Sequence, residues 1–509
     1  MRMPYLHDDG ARQQMVVQEF GGYDHRDPIS AKLFYDTKNM SSRRYPTAST
    51  RAPRGTAEYP ALTAPHGLIW AEGLIWADGT GLFREGEKVC DLTDSDKLMV
   101  RMGGWLYIWP DKVRYHLTDG TVEQLEQSWT GTAKLTDKTI EAVGIGEGFA
   151  AYDGITIEGA KTAANNKTAV CLAVEADKLT FSENCFTAET SVTVTVSRKV
   201  PDFDYLTELD NRLWGVTRDG YEIRACKLGD PRNWNCYEGL STDSYAATVG
   251  SAGCFTGAAT LQGYALVMKE GVIHKMYGTK PSNYQAVSQK VRGPMDGAGR
   301  SLAELDEVLY YLSPEGVTAY VGGTPERIGL QLGEVRYTEG VGAAADGRYW
   351  LSAKRQDGGW EMLCYDTVRS LWYKEDDTQA LYMTAGGGKV WYIDGEDNRI
   401  RCTEGEDDET IAWMIETGDL TEGMPEHKHL VRAVVDLRLE AGTTCMISAR
   451  YDGGEWEAVW VADARGYRRS VPVPIIPRRC ERFALRIEGR GEMVLWAVER
   501  TVEAGTELG

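Results

Sequence analysis

Between Asp204 and Gly323, short runs in which apolar and polar residues alternate are separated by pairs containing Gly, Asp, Asn or Pro. The runs are Arg212–Thr217, Tyr221–Lys227, Gly263–Lys269, Val272–Tyr277, Val308–Ser313 and Gly316–Val321. A period of two puts successive side chains on opposite faces of a strand, and a two-residue polar break between such runs predicts an antiparallel hairpin. The breaks here are Asp219-Gly220, Glu270-Gly271 and Glu315-Gly316. Similar breaks recur at Ala71-Glu72-Gly73, Asp119-Gly120, Asp346-Gly347, Asp357-Gly358 and Asp394-Gly395. Asp-Gly and its relatives supply the positive φ angles that tight hairpins need, so their recurrence predicts a repeated antiparallel unit.

In chain order, residues 1–55 are polar and punctuated by proline, with the aromatic or apolar anchors Phe20, Tyr23, Phe34, Tyr35, Met40 and Tyr45. They read as an extended N-terminal arm that gains structure by lying along another surface, because no apolar stripe lets them fold alone. From Gly67 the hairpins begin, three or four strands in each group of roughly 25–40 residues, the spacing of propeller blades. The rhythm breaks after Leu117, where Thr-, Val- and Ile-rich strands lack the paired aromatics, and returns at Asp204. The final part, with long alternating segments from His429 to Val502, suits a separate sandwich.

The expected fold is all-β: a β-propeller of about seven blades, or six if the first two groups merge, counted from strand groups. The expected domains are the arm (1–55), the first part of the propeller (56–118), an inserted small β-barrel or sandwich (119–201), the rest of the propeller (202–410) and a C-terminal β-sandwich (411–509). Large side chains such as Trp214, Tyr311, Trp350, Trp372 and Trp391 are expected to fill the wedges between blades. A closed ring would tie residues near 60 to residues near 400, removing open sheet edges.

Composition narrows the function classes. Across 509 residues the net charge is −20, which argues against a protein that coats nucleic acid, since phosphate binding needs a basic surface. With 56 Gly, 26 Tyr and 15 Trp the chain leans towards a turn-rich, aromatic β protein. Ten cysteines are scattered without a C-x-x-C pair, so they read as small buried apolar residues rather than a disulfide framework or a zinc site. No run approaches a membrane span, and MRMPYLHDDGARQQ has no apolar h-region, so folding in a cytoplasm is expected.

Candidate chemistry is sparse. His427 and His429 stand at i and i+2, on one face of a strand, but no third ligand accompanies them. The acidic runs Glu404–Glu409 and Asp394–Asp397 lack the spaced D-x-D-x-D-G pattern of a calcium loop and read as solvated turns. Gly144–Phe149 (GIGEGF) lacks both the G-x-G-x-x-G spacing and a following helix. The Asp-turn-Trp hairpins beginning at Gln356 and Tyr451 echo sialidase-type propellers without their leading Ser-x-Asp, so paired-carboxylate glycosidase chemistry is a minor alternative. Asn166-Lys167-Thr168 matches a glycosylation sequon, incidental without secretion. No residue is assigned a catalytic, cofactor-binding or metal-binding role, and no cofactor is expected.

Several segments, taken in order, carry a family resemblance. They are the F-G-G-x-D motif at Phe20–Asp24, TKNMSSRRYPTASTR, SRKVPDFDYLTELDNRLWG, CKLGDPRNWNCYEG, GYALVMKEGVIHKMYGTKPSNYQ, VLYYLSPEGVTAY and YDTVRSLWYKED. Together they resemble a family of tailed-bacteriophage structural proteins described as stabilisation, tail-hub or nozzle proteins, with NRLWG…LGDPRNW the most specific element. The resemblance implies a homo-oligomeric ring, expected to be a hexamer, around the channel through which the genome is ejected. It also implies partners among portal or adaptor and tail-fibre or tail-tip proteins, and DNA that passes without sequence-specific binding. The expected location is the virion tail, assembled in the bacterial host cytoplasm. The alternative from a different class is a tail-borne propeller that binds or degrades host-surface glycans.

Overall fold

The computed structural model describes residues 12–406, 410–424, 427–463 and 466–504. Met1–Ala11 of the arm, Asp407–Glu409 of the acidic run and Pro425–Glu426 beside the histidine pair lie outside the described residues. The described chain is all-β, with only short 3-10 turns besides its strands. It separates into two compact units, residues 1–60 with 316–318 and 327–509, and residues 61–315 with 319–326.

Seven four-stranded antiparallel sheets are present among the described residues, the repeat expected of propeller blades. In chain order they span Pro65–Asp91, Leu98–Gln124, Tyr205–Thr248, Phe255–Gln289, Ala303–Arg327, Tyr337–Asp376 and Ala380–Cys402, the last with Gly55–Thr56 added. The strands read from the alternating pattern lie where expected: Arg212–Val216, Glu222–Ala225, Tyr264–Lys269, Val272–Tyr277, Val308–Ser313 and Gly316–Tyr320. Within each unit the first strands of consecutive sheets lie side by side. Pro65–Trp70 lies next to Leu98–Met102, that strand next to Tyr205–Leu209, and that next to Phe255–Leu261; in the other unit Tyr337–Ala345 lies next to Ala380–Gly386.

The turns that pin the repeat are not all the expected ones. In five sheets the first hairpin turns on two residues that both have positive φ: Asp210-Asn211, Gln262-Gly263, Asp306-Glu307, Asp346-Gly347 and Gly387-Gly388. Positive φ at both central positions is the type I′ geometry, whose twist matches that of the flanking strands. Gly220, Gly271 and Gly395, by contrast, do not take positive φ. Those breaks are real hairpin connections, but with a different backbone.

Face-to-face packing fills the spaces between sheets. Ala71, Ile75, Leu106, Ile108 and Tyr115 fill the space between the first two sheets, and Trp214, Ile223, Phe255 and Val267 the space between the third and fourth. Of the wedge residues, Trp214, Tyr311, Trp350 and Trp372 are buried, whereas Trp391 is only half-buried. All ten cysteines are free; seven are buried, and Cys254 is exposed. Burial pushes the thiols of Cys226, Cys236 and Cys445 up to about 12, so they behave as inert apolar side chains.

Gln127–Arg198 forms a separate seven-stranded sheet, so the second blade-like sheet extends through Val122–Gln124, inside the range read from the sequence as the insert. Its two edge strands, Thr168–Val170 and Ala173–Glu175, are joined by Cys171-Leu172 alone. A link that short spans no more than ~10 Å, so the sheet must curl until its edges nearly meet, enclosing Ile140, Ile155, Ile157, Leu179, Val194 and Val196.

The C-terminal segment does not form a sandwich by itself. One sheet runs Met40–Ser41, Ala48–Thr50, Met493–Ala504, Lys428–Leu439, Arg468–Val473, and Arg12–Val17 also pairs with Met493–Ala504. The other runs Phe34–Lys38, Ala412–Thr417, Phe483–Arg490, Thr444–Tyr451, Glu457–Asp463. Phe20 stacks on Phe34 at 5.4 Å, and both enter the sandwich core with Met40, Trp413, Ile447 and Leu495. The described part of the arm is therefore engaged by its own chain: its strands pair in these ladders, and Phe20, Phe34 and Met40 of its anchors fill this core, whereas Tyr45 is exposed. The expected join between residues near 60 and near 400 is also present: Gly55 pairs with Cys402 and Thr56 with Arg401. Gly405 crosses Gly55 so closely that a Cβ on Gly405 would fall 2.1 Å from the Gly55 Cα, which only glycine permits.

Candidate functional site

The residues of the NRLWG…LGDPRNW element form a buried joint between the inserted sheet and the third four-stranded sheet. Strand Arg212–Val216 begins with an arginine that is almost fully buried. Its guanidinium donates to the carbonyls of Cys226 and Asp243, each at 2.6 Å, and of Ser241 at 2.9 Å, holding the loop that follows. In that loop Asp230 is bracketed by Arg232 at 2.8 Å and Asn233 at 2.7 Å. Burial pushes the Asp230 carboxyl upwards, but the Arg232 guanidinium and the Asn233 amide outweigh it and hold it below the ordinary value.

Asn233 then reaches into the insert. Its Nδ2 donates to Asp153 Oδ1 at 2.9 Å, and its Oδ1 accepts the Gly154 backbone N–H at 2.8 Å. The other oxygen of Asp153 accepts from Arg198 Nη1 at 2.5 Å, an ion pair with only 1 % and 4 % of its side chains exposed. Arg198 also donates to Leu125 O at 3.1 Å and Gly148 O at 3.2 Å. Beside this polar knot Trp234 packs against Phe203 at 4.7 Å and edge-on to Trp109 at 6.4 Å. Both ends of the insert are thus fixed by satisfied buried groups, the condition for a polar network to rigidify rather than weaken a core. Asp153 and Arg198 carry no shared signal in the sequence, because they lie far apart in it, one after a turn and one at the end of a strand.

A second feature is a cleft of about 1140 Å³ in the other unit. Three segments wall it: His25–Asp27, which follow the FGGYD motif, the segment Arg327–Arg336, and the hairpin at Arg355–Asp357. His25 N–H donates to Gln331 O at 2.7 Å, and Gln356 N–H to Arg336 O at 2.8 Å, so the walls are stitched by backbone. The His25 ring stacks on Tyr35 at 4.3 Å and donates through Nδ1 to the Tyr35 carbonyl at 3.0 Å. Arg26 grips the buried Asp24 through two bonds, at 2.8 and 2.6 Å. Arg355 is shared between Asp357 at 2.8 Å and Glu361 at 3.2 Å, and Glu361 also accepts from the Tyr337 hydroxyl at 2.8 Å. Burial and the Glu361 charge drive the Tyr337 hydroxyl far above its ordinary value, so it is a fixed donor rather than a nucleophile. Arg327 and Arg336 also line it and are exposed, and among the described residues neither has an ion-pair partner.

The residues weighed from the sequence fall elsewhere. His429 lies in the strand Lys428–Leu439 opposite Glu503 and Arg479, while His427 precedes that strand. Among the described residues no three His, Cys, Asp or Glu side chains converge as a metal site. Asp394 and Asp397 are both taken by Arg401, at 3.2 and 2.7 Å, and Glu404 lies 3.5 Å from Arg43. Gly144–Phe149 is a turn whose Ile145 and Phe149 enter the insert core. The Asn166 amide closes a loop by bonding both ways with the Ala160 backbone. In the hairpin beginning at Tyr451, Trp456 lies between the guanidiniums of Arg450 and Arg486, at 4.7 and 4.3 Å. No helix of the described residues is long and apolar enough to cross a membrane.

No family model matches the chain, and no curated protein matches it. Among solved structures it is similar to an exo-β-1,3-galactanase from Phanerochaete chrysosporium, at 9 % identity over 57 % of this chain and 95 % of that one, with a TM-score of 0.22. It is similar to Raptor from Chaetomium thermophilum at 10 % identity, covering 69 % and 28 % of the two chains, with a TM-score of 0.32. It is also similar to the phage phi92 endosialidase at 10 % identity over 73 % of each chain, with a TM-score of 0.25. Likenesses this distant assign neither family nor activity.

Proposed function

We propose that the chain is a structural component of a bacteriophage tail, a hub or nozzle protein whose copies form a ring that extends the DNA-ejection conduit. In this reading the four-stranded sheets are blades of a propeller, and the inserted barrel and the C-terminal sandwich present surfaces to adaptor and fibre or tail-tip proteins. The observation that supports it is the joint. Arg212 and Asp230–Trp234, within the most specific element of the resemblance, clamp the insert through Asp153 and Arg198. A module held by a buried ion pair and an amide bridge keeps its docking face in register, which an assembly built from repeated copies requires. The net charge of −20 suits a conduit that DNA must traverse without adhering.

Immunogold labelling of intact virions with an antibody against the sandwich tests this reading. Label at the neck or along the tail axis is the expected result. Label confined to peripheral fibres would replace it with the glycan-directed alternative, which the arginine-lined cleft favours, and absence of label would overturn the virion assignment.

A further inference from the structure

We propose that the cleft between His25–Asp27 and the Arg355–Asp357 hairpin is a binding site for an acidic oligosaccharide, with Arg327 and Arg336 receiving its carboxylates. The proposal stands independently of the tail reading. Its first support is the division of labour among the four arginines of the lining. Arg26 and Arg355 are committed to Asp24, Asp357 and Glu361 and act as parts of the wall. Arg327 and Arg336 are exposed and, among the described residues, unpaired, so the site keeps two guanidinium forks for an incoming anion. The planar fork matches a carboxylate with two parallel hydrogen bonds, which a lysine cannot do. Another recess of the same unit, about 1110 Å³, contrasts with it: there Arg43 and Arg44 are met by Glu404 at 3.5 Å and Glu492 at 3.0 Å.

The rest of the lining selects the class of anion. Asp27, Glu334, Gln356 and Asp357 place acceptors and an amide along the same cleft, groups that suit the hydroxyls an acidic saccharide carries beside its carboxylates and that a phosphate chain lacks. His25 is the one ring in the lining, held against Tyr35, so the cleft lacks the row of exposed aromatic platforms on which nucleic-acid bases stack. A volume of about 1140 Å³ exceeds the ~300–1,000 Å³ of small-molecule pockets and suits several sugar units rather than one. The walls are also set in advance. At Gly333, with φ of +77°, an added Cβ would lie 3.1 Å from the His25 carbonyl, so the loop packs directly onto the backbone of His25 and little ordering remains for binding to impose.

Isothermal titration of the full-length protein tests the proposal with four probes: hexagalacturonate, an α2,8-linked tetrasialate, maltohexaose and the hexanucleotide dT6. At least one acidic saccharide is expected to bind saturably and at least tenfold more tightly than maltohexaose or dT6. In R327A/R336A that affinity should fall at least tenfold, and R327K/R336K should recover only part of it, while circular dichroism stays unchanged because both side chains are exposed. Arg292→Ala, in the other unit and paired with Glu315, should bind like the parent. The proposal is overturned if neither acidic saccharide binds, if maltohexaose or dT6 binds as tightly, or if R327A/R336A binds as the parent does.

Discussion

Replacing Asp153 by Asn removes one charge from a place that water scarcely reaches. The Asp153 side chain is 1 % exposed and its partner Arg198 4 % exposed, so the guanidinium left behind cannot recover its hydration without opening the joint. Removing one member of a buried pair costs about 3–5 kcal/mol, because an uncompensated charge stays in the interior. The amide keeps the shape and one acceptor, which places Asp153→Asn at the lower end, about 3 kcal/mol. At 1.4 kcal/mol per tenfold, that raises the opening equilibrium of the joint by roughly 100–200-fold. The assay is native-state hydrogen exchange on the amides of Gly154–Glu158 and Glu189–Arg198, the strands that flank the pair. Protection should collapse there and remain on Tyr264–Lys269, a strand with no bond to the joint. A double-mutant cycle with Arg198→Met should return a coupling of about 1–3 kcal/mol. Exchange within threefold of the parent, or additive single mutants, would refute the claim that this ion pair fixes the insert.

Other consequences can be checked with ordinary measurements. His274 is fully buried between the hydroxyls of Ser251 and Ser288, each 2.8 Å away, and burial with the nearby Lys269 lowers it from 6.5 to about 4. The fold therefore favours the neutral ring: this stability is complete above pH 6.5 and is lost as pH falls towards 4, about 2–3 kcal/mol by pH 4.5. A urea titration at pH 7.5 and 4.5 should show the loss, and His274→Gln should flatten it; an unchanged pH slope in that variant would count against the assignment. Phe34→Ala should cost about 3–5 kcal/mol, read as a lower urea midpoint, because Phe34 is a core residue of the sandwich despite lying more than 370 residues before its strand partner Ala412–Thr417. Parent-like stability would mean that the N-terminal strands are dispensable. Gly405→Ala should free Gly55–Thr56 from Ile400–Cys402, seen as fast exchange of those amides, since its Cβ has no room beside Gly55; retained protection would contradict the close crossing.

The blade-like repeat was legible in the sequence because both of its signals are local. Alternation within a strand and a turn pair within a hairpin involve residues a few positions apart, so runs such as Val272–Tyr277 and Val308–Ser313 could be bounded to the residue. Turn chemistry was less legible: Asp306-Glu307 and Gln262-Gly263 carry the paired positive φ angles, although the first of these pairs contains no glycine. Burial within the repeat, including Trp214, Tyr311 and Trp372, followed from side-chain size and periodicity.

What only the tertiary structure decided are the pairings between distant segments. Nothing near Phe34 indicates that it completes a sheet with Ala412–Thr417, nothing near Gly55 indicates Cys402, and Asp153, Arg198 and Asn233 announce no relation to one another. The same holds for the cleft, whose arginines come from three segments and become a site only once backbone bonds stitch those segments together. Alternation is imposed by the geometry of a single strand and is written wherever a strand forms. A contact between remote residues is selected by the free energy of the whole packed core, in which the loop-closure cost rises only logarithmically with separation, so it leaves no periodic trace in the chain.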